Sequence, residues 1–233
     1  MVRPTVTRSS MQLDRKSPTR ILFIGNSFTA RNNLPALIAD LASAHGVKVE
    51  PRLLSIGGAS LRTHWNKGEA PAAIASGKFD YVVLQEQSTL PIKNAARMRE
   101  NVLLFDGAIT PAGAKTVLYM TWARKNVPDK QKDITEAYES IGREIGAIVV
   151  PVGVAWQDFM RKHPTPVLHD KDQSHPTLAG SYLAACVFLA KLLGLNADER
   201  GSNPPGLDAP DMRLLQAAAN ALQQFTPVRN AQK

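Results

Sequence analysis

Short apolar runs alternate along the chain with stretches whose apolar residues recur every three or four positions. The runs lie at Ile21 to Ile24, Val47 to Ile56, Tyr81 to Leu84, Thr116 to Thr121 and Ala147 to Pro151, and they read as β-strands. Between the first two, Leu34, Leu37, Ile38, Leu41 and Ala42 fall on one helical face, with Pro35 suited to a first turn. A second helix is predicted over much of Asn94 to Ala108, ending near Pro111 and Gly113. A third runs from Asp129 to Gly146, opening after Pro128 and repeating Ile134, Tyr138, Ile141 and Ile145. A further helix beginning near Pro176 carries Leu178, Tyr182, Leu183, Cys186, Leu189 and Leu193 and is expected against the sheet. Asn203, Pro204, Pro205 and Gly206 then interrupt the chain before a last helix, roughly Pro210 to Phe225. Strands alternating with helices imply βαβ units, so the expected fold is α/β: a three-layer α/β/α sandwich with a five-stranded parallel sheet. In open sheets of this kind, ligands gather beyond the carboxyl ends of the strands.

At 233 residues the chain suits one generous domain, expected over 20–227, with a loose end at 228–233. Residues 1–19 read as a basic tail: the first twenty carry Arg3, Arg8, Arg15, Lys16 and Arg20 against Asp14. That is +4 of the formal +8, so half the positive excess belongs to the tail and no basic stripe interleaved with aromatics remains. No nucleic-acid partner is expected, although a basic surface still favours acidic ligands. The longest uninterrupted apolar run, Leu183 to Ala190, is too short to span a bilayer and is closed by Lys191. The leading residues lack the apolar centre of an export signal, which makes the cytoplasm the default compartment. Cys186 is the only cysteine and lies in an apolar helical pattern, so no internal disulfide forms and no thiol pair is available for zinc.

Two segments carry the candidate chemistry. The run Ile21 to Ile24 stops abruptly at Gly25, Asn26 and Ser27, as a buried strand does when it delivers a side chain to the sheet's carboxyl edge. Near the other end, Asp172 precedes His175 by three residues, so that one helical turn would hold the carboxylate beside the imidazole. A serine hydroxyl is a poor nucleophile until a base removes its proton, and an imidazole oriented by a carboxylate is such a base. Each segment also has an ordinary alternative: a serine after a strand is often a turn or cap residue, and Asp172 can cap the helix near Pro176.

Two further loops fall where strands end. Ser55 to Ser60 contains Gly57 and Gly58, which let backbone approach a bound group closely; Gly58 can offer its N–H. Gln85, Glu86, Gln87 and Ser88 end the third strand with a polar cluster, and a glutamine amide can donate to a developing oxyanion. With the Ser27 N–H that makes three donors. The plain alternatives are a flexible glycine turn and a solvated strand end.

These residues resemble the SGNH, or GDSL-like, hydrolases. Gly25, Asn26 and Ser27 match that family's serine block, Gly58 its glycine after the second strand, and Asp172 to His175 its Asp-x-x-His pair, in the same order along Arg20 to Leu193. One block departs: where the family carries Gly-x-Asn-Asp, this chain has Gln85, Glu86, Gln87 and Ser88, so Gln87 stands in the asparagine's place with its amide on a longer arm. The resemblance implies the flavodoxin-like SGNH sandwich. It also implies a serine esterase with Ser27 as nucleophile, His175 as base and Asp172 orienting it. Ser27, Gly58 and Gln87 would serve as oxyanion donors. Substrates would be short-acyl esters of carbohydrates or small alcohols, and no metal or organic cofactor is required. Two alternatives stay open: a non-catalytic ligand-binding protein on the same fold, motivated by Gln87, and an acyltransferase using the same triad.

Other residues have weaker claims. His163, His169 and His175 with Asp170 and Asp172 can be drawn as a metal cluster, but their spacings fit no standard zinc motif. Trp122 and Arg124 fall at the end of the fourth strand and His64 and Trp65 after the Gly58 loop. Both pairs can line a cleft or simply pack.

Overall fold

The structure is a computed structural model that describes residues 17–198 and 204–222. Most of the basic tail, the expected loose C-terminus and the last residues of the predicted final helix lie outside the described residues. Thr19, inside the span read as tail, already opens the first strand.

Five strands form one parallel sheet: β1 (Thr19–Gly25), β2 (Val49–Ser55), β3 (Tyr81–Leu84), β4 (Lys115–Tyr119) and β5 (Ile148–Val150). Their spatial order is β2-β1-β3-β4-β5. In β1, Ile21 and Phe23 point to one face and Leu22 and Ile24 to the other, and all four are fully buried. A strand covered on both sides needs this unbroken apolar run instead of alternation. β2 lies at the sheet's margin, which explains how it tolerates Pro51 and exposed Glu50 and Arg52.

Ten α-helices are described. After β1 come α1 (Ser27–Ala30), a 3-10 turn (Arg31–Asn33) and α2 (Leu34–Ser43). Between β2 and β3 lie α3 (Leu61–Lys67) and α4 (Glu69–Ser76). α5 (Leu90–Lys93) and α6 (Ala95–Ile109) follow β3, and α7 (Gln131–Ile145) follows β4. α8 (Val152–Lys162), α9 (Leu178–Leu193) and α10 (Ala209–Ala221) complete the fold. Side chains of α2, α8, α9 and α10 cover the face of Ile21 and Phe23; those of α3, α4, α6 and α7 cover the face of Leu22 and Ile24. The expected sandwich is therefore present. α9 is apolar almost all round because it is packed by α2, α8 and α10 as well as lying over the sheet, so even Cys186 is fully buried there. Burial pushes that thiol's pKa far up. No helix among the described residues is long and apolar enough to cross a membrane.

Five helices were not anticipated from the pattern: the one-turn α1 and α5, and α3, α4 and α8. α8 begins two residues after β5 and comes so close to the end of β4 that Gly153 has no room for a side chain. A Cβ there would sit 2.1 Å from the Thr121 carbonyl oxygen and 2.3 Å from the Gln131 side-chain nitrogen. Gly153→Ala is expected to lower unfolding free energy by about 1–3 kcal/mol, as overpacking does in tight cores, read from the urea midpoint at unchanged slope.

Candidate active site

The order β2-β1-β3 places a topological switch between β1 and β3, and the loops after β1, β2 and β3 converge there. Ser27 is the first residue of α1, directly beyond β1, and is half-buried. Asn26 before it is extended and almost fully buried, and each of its polar groups is used. Its backbone N–H donates to Gln85 Oε1 (2.8 Å), its Oδ1 accepts from the Phe28 N–H (3.1 Å), and its Nδ2 donates to the Ala59 carbonyl (3.0 Å). Gln85 Oε1 also accepts from Thr29 Oγ1 (3.0 Å). This crowding explains Gly25: a Cβ there would stand 2.6 Å from both Gln85 Oε1 and Thr29 Oγ1. Buried His64 anchors the same backbone, donating from Nε2 to the Gly25 carbonyl (2.7 Å), and burial pushes its pKa down. His64 is therefore a packing residue of the strand end, while half-buried Trp65 packs on α6, where it meets Phe105 edge-on.

The acid and the histidine come from the loop between α8 and α9. Asp172 Oδ2 accepts from His175 Nδ1, which fixes the proton on Nδ1 and leaves Nε2 as an acceptor. Ser27 Oγ lies 2.8 Å from that Nε2 and donates its proton to it. The other Asp172 oxygen accepts from the backbone N–H groups of Ser174 (3.0 Å) and His175 (2.9 Å). The ring N–H and these amides hold the Asp172 carboxyl well below the usual carboxylate range. The segment is not the helical turn its spacing suggested. It is a tight turn with Gln173 at φ +61°, and Asp172 does not cap α9, whose N-cap is Thr177.

That loop is fixed on several sides. Trp122 Nε1 donates to the Ser174 carbonyl (3.0 Å), and the Lys125 N–H donates to the Gln173 carbonyl (2.9 Å). Asn32, in the left-handed region at φ +54°, donates from Nδ2 to the Thr177 carbonyl (3.0 Å) and to Ser181 Oγ (2.9 Å), joining the serine loop to the start of α9. Arg31 pairs with Asp170 (2.8 Å) across the same seam. The Trp122 ring stacks on Trp156 (3.7 Å, 7° between planes) and on Phe28 (4.9 Å), and Phe28 lies tilted against His175 (5.4 Å). Trp122 thus supports the histidine loop, while exposed Arg124 lines a pocket of about 330 Å³ with Lys125, Trp156 and His169.

Gly58 sits at φ +67° in the turn after β2, and its N–H takes no protein partner among the described residues. Nor does the Ser27 N–H. Gln87 is half-buried. Its Oε1 accepts from Thr89 N–H (2.8 Å), Thr89 Oγ1 (3.0 Å) and Leu90 N–H (3.1 Å), which fastens the carbonyl to the start of α5 and leaves the Nε2 protons without a protein acceptor among the described residues. Gln85 and Glu86 are buried, so the end of β3 is no solvated cluster. The histidines drawn as a metal set have other partners: His169 donates from Nε2 to the Ala123 carbonyl (3.1 Å) and His163 lies against Phe159.

Sequence reasoning singled out Ser27, His175 and Asp172, and the structure brings those three into one hydrogen-bonded line. It missed what fixes them: Asn26, Asn32 and Gln85, whose only signal was a polar residue next to a buried strand or an asparagine in a tight connection.

No protein-family model and no curated protein sequence matches the chain. Among solved structures, a protein from Slackia heliotrinireducens described as an SGNH hydrolase is 30% identical, with a TM-score of 0.67, covering 76% of this chain and 100% of that one. A DUF4886 family protein from Bacteroides uniformis is 22% identical at a TM-score of 0.71, over 90% of this chain and 96% of its own. An acetyl xylan esterase from Geobacillus stearothermophilus shares the fold at 16% identity and a TM-score of 0.56, over 76% of this chain and 95% of its own. With 30% identity over 76% of this chain to a protein described as an SGNH hydrolase, matched over that protein's whole length, and with the α/β fold in common, this chain belongs to the SGNH hydrolases.

Proposed function

We propose that the protein is a serine esterase that hydrolyses short-acyl carboxylic esters, such as acetyl esters of carbohydrates or small alcohols. The observation that carries this reading is the line Ser27 Oγ–H to His175 Nε2, His175 Nδ1–H to Asp172. The tautomer is already the one in which Nε2 can take a proton.

In the first half-reaction Ser27 Oγ attacks the ester carbonyl carbon while His175 Nε2 accepts the hydroxyl proton. The imidazolium that forms is stabilised by ionised Asp172. The carbonyl π electrons move to oxygen, and the oxyanion is held by the Ser27 N–H, the Gly58 N–H and Gln87 Nε2, three donors that need break no protein hydrogen bond to serve it. Collapse breaks the bond to the alcohol oxygen, which leaves with the proton from His175 Nε2, and an acyl-Ser27 ester remains. Water then attacks that ester with His175 again as base, releasing the carboxylic acid and free Ser27. The acetyl preference is supported by the acetyl xylan esterase among the structural neighbours.

The test is hydrolysis of p-nitrophenyl acetate, butyrate and octanoate by the purified protein, with fluorophosphonate labelling alongside. The expected result is turnover that falls with acyl length and a single labelled serine, Ser27. A protein that neither turns over nor labels is a binding protein on this fold, and the esterase reading is wrong.

A further inference from the structure

We propose that Glu86 is the positioning residue of this site: a buried carboxylate that sets the Gly58 turn and Gln87 in register with each other, held in turn by Arg62 through Asn101. The inference rests on the ester hydrolysis proposed above and assigns a role to a residue that takes no part in the proton transfers.

Glu86 has no exposed surface. Its Oε1 accepts from the Leu61 N–H (3.0 Å) and from the Gln87 N–H (2.7 Å), and its Oε2 accepts from Asn101 Nδ2 (2.8 Å). Asn101, also buried, accepts from Arg62 Nε at its Oδ1 (3.0 Å). Leu61 is the first residue of α3 and stands three residues beyond Gly58; Gln87 carries the third oxyanion donor. One carboxylate oxygen therefore joins the two loops that bring donors from β2 and β3. The other side of the Gly58 turn is tied to the serine loop by the Asn26 bond to the Ala59 carbonyl. With Gln85 holding Asn26, all three donor-bearing loops are linked through side chains that do not themselves touch the reacting atoms.

The polarity of the chain decides what can stand at position 86. A guanidinium and a backbone N–H are donors only, whereas an asparagine amide accepts at one end and donates at the other. Arg62 fixes Asn101 with its oxygen outward and its nitrogen toward residue 86. Residue 86 must then accept from Asn101, Leu61 and Gln87 together, which an ionised carboxylate does and a glutamine cannot. Burial raises the Glu86 pKa, while Asn101, the two backbone amides and Arg62 act against that rise. Leaving such a group short of a partner in a buried site is costly, so mismatch at this position is expected to move the loops.

Glu86→Gln keeps the size and the two backbone bonds but sets its NH2 against the NH2 of Asn101. If Asn101 turns over, its NH2 meets Arg62 instead. Removing the guanidinium frees Asn101 to turn, so Arg62→Ala should repair what Glu86→Gln breaks. With p-nitrophenyl acetate, Glu86→Gln is expected to lower kcat about 10- to 100-fold with KM within about twofold, below the loss that follows complete removal of an oxyanion donor. The Arg62→Ala/Glu86→Gln double variant is expected to recover most of that kcat. Amide-proton NMR of Leu61, Gln87 and Gly58 gives a readout independent of turnover: all three resonances should shift in Glu86→Gln and return toward wild type in the double variant. A kcat in Glu86→Gln within twofold of wild type, or a loss that Arg62→Ala does not relieve, overturns the proposal. If the wild type shows no hydrolysis and no label, the esterase reading fails, and the amide resonances decide on Glu86 alone: unmoved resonances overturn its positioning role.

Discussion

Ser27→Ala is expected to lower hydrolysis of p-nitrophenyl acetate by about six orders of magnitude in kcat, the scale seen when a serine hydrolase loses its nucleophile. Alanine has no atom that can form the acyl ester, so the two-step route closes and only oxyanion stabilisation of direct water attack remains. The loss should come with little change in fold. Among the described residues Ser27 Oγ has one hydrogen-bond partner, His175, whereas the loop around it is held by Asn26, Gln85 and Thr29, none of which the substitution touches. Thermal unfolding within a few degrees of wild type and complete loss of fluorophosphonate labelling, read by intact-mass spectrometry, are the accompanying results. A variant that keeps more than about a hundredth of wild-type kcat would place the nucleophile elsewhere, because no residual mechanism of a serine hydrolase reaches that level.

The parts of the fold legible from the sequence are those where burial imposes a simple pattern. β1 and β3 are short apolar runs because both faces are covered, and α7 repeats Ile134, Tyr138 and Ile141 because one face is. α4 gave no such signal: its buried face is Ala70, Ala73 and Ile74, two of them too small to stand out. α8 escaped because it begins almost where β5 stops, so strand and helix read as a single apolar stretch. The site divides along the same line. Ser27 announces itself by following the end of a buried strand and Asp172 with His175 by local spacing. The residues that hold them have partners far away in sequence: Gln85 reaches back 59 residues to Asn26, and Glu86 reaches 25 back to Leu61 and 15 forward to Asn101. Nothing in a short window marks a glutamate after an apolar strand as a fully buried acceptor, since the same residue in solvent reads identically. What the order β2-β1-β3 adds is the meeting of three strand ends, and only then does the polar run Gln85, Glu86 and Gln87 acquire partners.

Asp172→Asn is expected to lower kcat by about four orders of magnitude while leaving the loop in place, the effect known for a triad whose carboxylate is neutralised. The asparagine Oδ1 can still accept from the Ser174 and His175 backbone amides, so the turn around Gln173 should persist. Its NH2 then faces His175 Nδ1, which must become an acceptor, and the ring proton moves to Nε2. In that tautomer His175 donates to Ser27 Oγ and cannot take its proton. Asp172→Ala removes both functions, so it should show a similar loss of kcat together with a lower unfolding midpoint. The pH dependence separates the charge from the shape. The Asp172 pKa is depressed in the folded protein, so the stability its ionised form contributes is present above the ordinary carboxylate pKa of about 4 and is lost as pH falls through the lower folded value. The difference in unfolding free energy between wild type and Asp172→Asn should therefore hold steady from neutral pH down to about 4 and shrink below it. A difference that had already vanished near pH 6, about two units above the range in which a carboxylate ordinarily protonates, could not come from the Asp172 charge and would overturn the depressed pKa assigned to it here.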